Sequence, residues 1–108
     1  MKFNPMGANM NKMMKEARKV QEQIVQLQEE LRQREMEVSS GGGAITVRIN
    51  GKQEILSLKI ASEAVDPDDV ELLEDMIMAA VNEAVKQSQE MVSSEMAKIT
   101  GGFNIPGL

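Results

Sequence analysis

The sequence predicts an α+β fold: a long helix, a three-stranded antiparallel sheet and a second long helix (α-β-β-β-α), paired as an intertwined homodimer. Three observations point there. Met10, Met13, Ala17, Val20, Ile24, Leu27 and Leu31 recur at alternating spacings of 3 and 4, the rhythm of a helix that packs lengthwise against another helix. From about Arg34 to Ile60 the apolar period drops to two, which suits half-buried strands. After Asp66 a helical period returns. Two helices with this much apolar seam and only a small sheet cannot bury every apolar face in one copy, and a symmetric pair resolves that.

The first helix is expected from about Ala8 to Arg34, after a Pro5-Gly7 break, because Met, Lys, Glu, Gln, Ala, Leu and Arg dominate the stretch. Met36 and Val38 then alternate with Glu35 and Glu37, the pattern of a first strand. Ser39-Ser40-Gly41-Gly42-Gly43 interrupts it. A glycine run can cradle phosphate, but such loops lead into a helix and usually carry a lysine. Here a strand follows, so the run reads as a flexible hairpin turn.

Ile45, Val47 and Ile49 make the second strand, and Asn50-Gly51 predicts a two-residue hairpin because both residues tolerate positive φ. That register sets Ile49 against Lys52, Val47 against Glu54 and Ile45 against Leu56, with Leu58 and Ile60 continuing the same face. Asp66-Pro67-Asp68-Asp69 reads as the second helix start, with Asp66 capping, Pro67 in the first turn and the other acids complementing the helix dipole. A calcium loop would need a Gly and a distal Glu that are missing. The second helix runs to about Ile99, with Gly101 as its stop. Leu73, Ile77, Ala80, Val81, Ala84, Val85 and Ser88 form its inner stripe, and Met91, Val92, Met96 and Ile99 extend it.

In domain terms, residues 1–7 form a flexible N-terminal segment, 8–102 a single domain and 103–108 a tail that docks on a neighbour or stays mobile. The ten methionines fit core or dimer packing better than a promiscuous binding surface.

Charge is distributed unevenly. The chain totals −5, yet residues 1–19 carry +4, residues 20–40 carry −3 and the remainder −6. Lys2, Lys12, Lys15, Arg18 and Lys19 face one acid, Glu16. Stepping residues by 100° puts Lys12, Lys15 and Lys19 on one helix face, roughly opposite Met13, Ala17 and Val20. A solvated face is the bland reading; a grip on a polyanion is the sharper one, favoured by the missing compensating acids. Exposed charges are screened beyond about 8 Å at physiological salt, so a local patch acts independently of a distant acidic body.

The chain contains no His, Cys, Tyr or Trp, which removes the usual general base, thiol nucleophile and commonest zinc ligands. No catalysis, cofactor, metal or small-molecule substrate is expected. Neither a membrane span nor a signal peptide is evident, and zero Cys suits a reducing cytosol.

Three stretches together resemble the YbaB/EbfC family of bacterial nucleoid-associated proteins. They are the Met-rich basic opening from Met10 to Gln28, the Gly41-Gly42-Gly43 and Val47-Arg48-Ile49-Asn50-Gly51 hairpin, and Leu72-Leu73-Glu74-Asp75 with Ala79-Ala80 and Asn82-Glu83-Ala84. Met96-Ala97-Lys98-Ile99-Thr100-Gly101-Gly102 is similar too. The resemblance implies an α-β-β-β-α homodimer that binds DNA at the cytoplasmic nucleoid, with no cofactor. It transfers no sharply defined motif, so the candidate duplex-DNA contacts rest on charge and placement. They are Lys12, Lys15, Arg18 and Lys19, with Lys2 as a mobile accessory. Phosphate binding of low sequence specificity is the expected mode. The alternatives are a prefoldin-like chaperone and a protein-docking scaffold that uses the acidic second helix.

Overall fold

The computed structural model describes residues 5–100, and the side chains of residues 9–99. Helix α1 spans Pro5–Gln33, strands β1, β2 and β3 span Glu35–Ser40, Ile45–Asn50 and Ile55–Ile60, and helix α2 spans Val70–Thr100. A single 3-10 turn, Ser62–Ala64, sits between β3 and α2. The expected α+β class and element order are observed. Helix α1 starts at Pro5, three residues ahead of the expected start at Ala8. Proline is tolerated in a first turn because its missing N–H would have no intrahelical acceptor there.

The sheet is antiparallel in the order β1-β2-β3. Its inner face carries Val38 opposite Val47, Met36 opposite Ile49 and Ile60 opposite Ile45. Helix α2 covers this face with a stripe of small residues. Ala80 and Ala84 are fully buried, and with Val38, Ile45, Val47 and Ile49 they form the core. Each large side chain there contributes about 2 kcal/mol of burial. The outer face is polar, with Arg48 paired to Glu35 across β1 and β2.

The hairpin register departs from the one expected. Ile49 pairs with Ile55, Val47 with Leu58 and Ile45 with Ile60, and a bulge leaves Leu56 unpaired. The cause is Asn50. Its Oδ1 accepts from the N–H groups of Lys52 at 2.9 Å and Glu54 at 3.1 Å, and its own N–H donates to the Glu54 carbonyl at 3.2 Å. A longer loop closes around that side chain. The left-handed conformation falls on Gln53, at φ 64°, and not on Asn50 or Gly51.

Gly51 has a different task. A Cβ there would lie 1.8 Å from the Leu31 carbonyl oxygen, so the last turn of α1 rests directly on the hairpin backbone. The glycine turn after β1 matches its expected conformational role, with Gly41, Gly42 and Gly43 at φ 63°, 66° and 92°.

The cap of α2 is also corrected. Asp69 Oδ1 accepts from Leu72 N–H at 3.2 Å, which makes Asp69 the N-cap. Asp66 instead closes the preceding turn, accepting from Asp68 N–H on its side chain and from Asp69 N–H on its carbonyl. Pro67 occupies a turn corner, as its fixed φ favours.

Ser88, fully buried on α2, donates its hydroxyl to the Asn50 carbonyl at 2.7 Å. That carbonyl also accepts from Gln53 N–H, so removing the hydroxyl leaves it half-served rather than orphaned. Ser88→Ala is therefore expected to lower stability by about 1 kcal/mol in a urea titration. An unchanged midpoint would show that the bond contributes nothing.

The molecule measures 88 × 22 × 16 Å with a radius of gyration of 22.3 Å, against about 13 Å for a compact chain of this length. Helices of 29 and 31 residues are about 44 and 46 Å long, so laid end to end they nearly fill the long axis. They meet near their C-termini, where Arg34 Nη1 lies 3.7 Å from Glu95 Oε1. Beyond that junction α1 continues outward past the end of α2.

Candidate nucleic-acid interface

Burial along the α1 seam fades with distance from the junction. Leu31 is 1% exposed and Leu27, Ile24 and Val20 are half-buried, whereas Met13 and Met10 are 67% and 60% exposed. Only the root of the helix is thus packed by its own chain. The outer half is an arm, and the expected cations ride on it.

Lys12, Lys15, Arg18 and Lys19 are all exposed. Lys19 stands about 18 Å, and Lys12 about 28 Å, along the helix axis from Leu31. Lys15 and Arg18 share a shallow recess with Asn11 and Met14. Asn11 and Met14 escaped notice as neighbours of the cations, although their helical angles place them beside Lys15 and Arg18. Lys2 lies outside the described residues, as do Gly101 and the tail 103–108.

Among the described residues, none of the four arm cations is paired with a carboxylate. The carboxylates nearer the root of α1 are engaged instead: Glu30 with Arg34 at 2.5 Å and Glu29 with Arg32 at 3.7 Å. Glu95 on α2 meets both Arg34 and Lys98. Exposed pairs of this kind add little stability, yet they offset negative charge close to the arm. The dense acids from Asp66 to Asp75 sit at the other end of the sheet, where Met76 approaches Gly41. Measured along the two helices through the junction, Asp75 and Lys19 are about 50 Å apart. That is several screening lengths, each of about 8 Å.

Among the described residues no cluster of His, Cys, Asp or Glu is arranged to hold a metal ion, and no helix is long and apolar enough to cross a membrane.

The family model for the YbaB/EbfC DNA-binding family matches residues 6–103. The chain belongs to that family. This YbaB/EbfC member is 57% identical over 108 residues to a nucleoid-associated protein of Alkaliphilus metalliredigens, covering 98% of this chain and 95% of the relative. It is 60% identical over 99 residues to one from Moorella thermoacetica, covering 92% and 95%. The crystal structure of an uncharacterized protein from Helicobacter pylori has the same fold, with a TM-score of 0.63 and 24% identity over 94% of this chain and 99% of that one.

Proposed function

We propose that this YbaB/EbfC protein works as a homodimer at the nucleoid, in the cytoplasm. Its α1 arms hold duplex DNA with low sequence specificity and so influence DNA organisation and gene expression. The observation that carries the reading is the set of four exposed, unpaired cations on an arm far from the acidic end of the molecule. Lysine and arginine neutralise backbone phosphates and release condensed counterions, which supplies affinity without reading bases. The two phenylalanines, Phe3 and Phe103, are the chain's whole aromatic content, so it lacks the stacking platform typical of single-strand binders. The names of the relatives favour the nucleoid as the place of action.

The dimer is supported by apolar surface left open in one copy. Ile55, Leu56 and Leu58 on the β3 edge are exposed, as are Val65, Val70 and Leu72 on the way into α2. An open strand edge with apolar side chains invites pairing with another chain. Two copies would present two basic arms at a fixed spacing, which raises avidity without a new contact type. Sedimentation at micromolar concentration is expected to give a dimer; a folded monomer would overturn this part of the reading.

Titration of random-sequence duplex DNA by fluorescence anisotropy across salt tests the whole. Affinity is expected to fall steeply as salt rises. Salt-tolerant binding of an unfolded polypeptide, with no DNA binding at low salt, would replace this reading with the chaperone alternative.

A further inference from the structure

An open apolar groove runs along the arm, floored by Met13, Ala17, Val20 and Ile24 and rimmed by Lys19 and Gln23. Its walls come from α1 alone, so within one chain nothing else among the described residues closes it. We infer that the groove is the seat of this chain's own C-terminal segment, Gly101–Leu108, laid along α1 as an apolar strap.

Reach and pattern carry the assignment. Helix α2 passes Arg34 at Glu95 and ends at Thr100. Five further residues of antiparallel helix bring Thr100 opposite about position 29 of α1, with the chain heading toward the arm tip. The half-buried Met96 and Ile99 lie on the stripe of α2 that leads there.

An extended strand advances about 3.3 Å per residue, while α1 recedes about 1.5 Å per residue. Phe103 therefore reaches the level of Val20 and Ile24, Ile105 the level of Ala17, and Leu108 the level of Met13. The three large apolar residues of the segment fall on the floor residues of the groove in order. Gly101 and Gly102 have no side chains to obstruct the passage from helix to strap. Pro106 holds Ile105 extended, and the segment carries no charged side chain. A segment tethered this close reaches a high effective concentration at its groove, so a modest apolar contact suffices to seat it.

The absence of cysteine in the chain makes the test direct. In the full-length protein, Ala17→Cys with Ile105→Cys is expected to oxidise to a disulfide within one chain, since bridging requires Cβ atoms about 3.8 Å apart. Gln26→Cys with Ile105→Cys, on the opposite face of α1, is expected not to. A bridge between two chains would overturn the assignment in favour of a second copy's tail. Equal bridging at both positions, or none at either, would overturn it outright. Independently, ending the chain after Gly102 should raise the reactivity of Ala17→Cys toward a thiol reagent several-fold with helix content retained. Unchanged reactivity would also refute the strap.

Discussion

Reversing Lys12, Lys15 and Lys19 to glutamate together is expected to abolish binding to random duplex DNA while leaving the fold and the oligomeric state unchanged. The three side chains are exposed and pair with no carboxylate, so their replacement removes no packing and orphans no partner. Exposed substitutions of this type shift stability by about 0.5 kcal/mol or less each.

The effect on DNA is far larger. A dimer brings eight arm cations, and if most meet phosphates the logarithm of affinity falls with the logarithm of salt at a slope of about −7. The milder Lys→Gln triple removes six of those contacts per dimer and should flatten the slope to about −2. At low salt it should weaken binding by several orders of magnitude; the glutamate triple adds repulsion to that loss. Anisotropy titrations at several salt concentrations check both numbers. An unchanged slope would mean that the arm is not the contact surface.

The second large effect is expected from a single methyl group. Gly51→Ala places a carbon 1.8 Å from the Leu31 carbonyl oxygen and 2.7 Å from its carbonyl carbon. These are backbone atoms, so no side chain can swing away to make room. The last turn of α1 has to lift from the hairpin, withdrawing the fully buried Leu31 and loosening the Arg34–Glu95 contact. Overpacking alone costs about 1–3 kcal/mol, and partial loss of the Leu31 burial adds about 2 more. A urea titration should show a fall of about 3 kcal/mol or more. A midpoint near that of the unaltered protein would mean that α1 is not seated on Gly51.

These two effects mark what could be read from residue order and what could not. The seam from Met10 to Leu31 and the period-two run through Val38 and Val47 are local patterns, and they announced helix and strands correctly. The arm cations were legible for the same reason, since a charge count needs no coordinates. The β2–β3 register was not. Asn50-Gly51 has the composition of a two-residue turn, but Asn50 spends its side chain on Lys52 and Glu54, and Gly51 answers to Leu31, twenty positions earlier in the chain. A local rule gave way to a tertiary contact. The cap at Asp69 was missed for a subtler cause. Three aspartates in four residues all suit a helix start, and only the position of the Asp66 turn decides among them. The recess shared by Lys15 and Arg18 was within reach of helical angles, yet a tally of charges does not reveal which neighbours stand beside them.

Because α1 is seated by little more than its final turn, it behaves as a lever with a short fulcrum. A tilt of about 10° at Leu31 displaces Lys12 by about 5 Å, given the roughly 28 Å of helix between them. That throw approaches the width of a minor groove, about 6 Å. The tip cations can therefore follow phosphates on duplexes of different groove width at little cost in the core, and tolerance of DNA sequence becomes a mechanical property of the hinge.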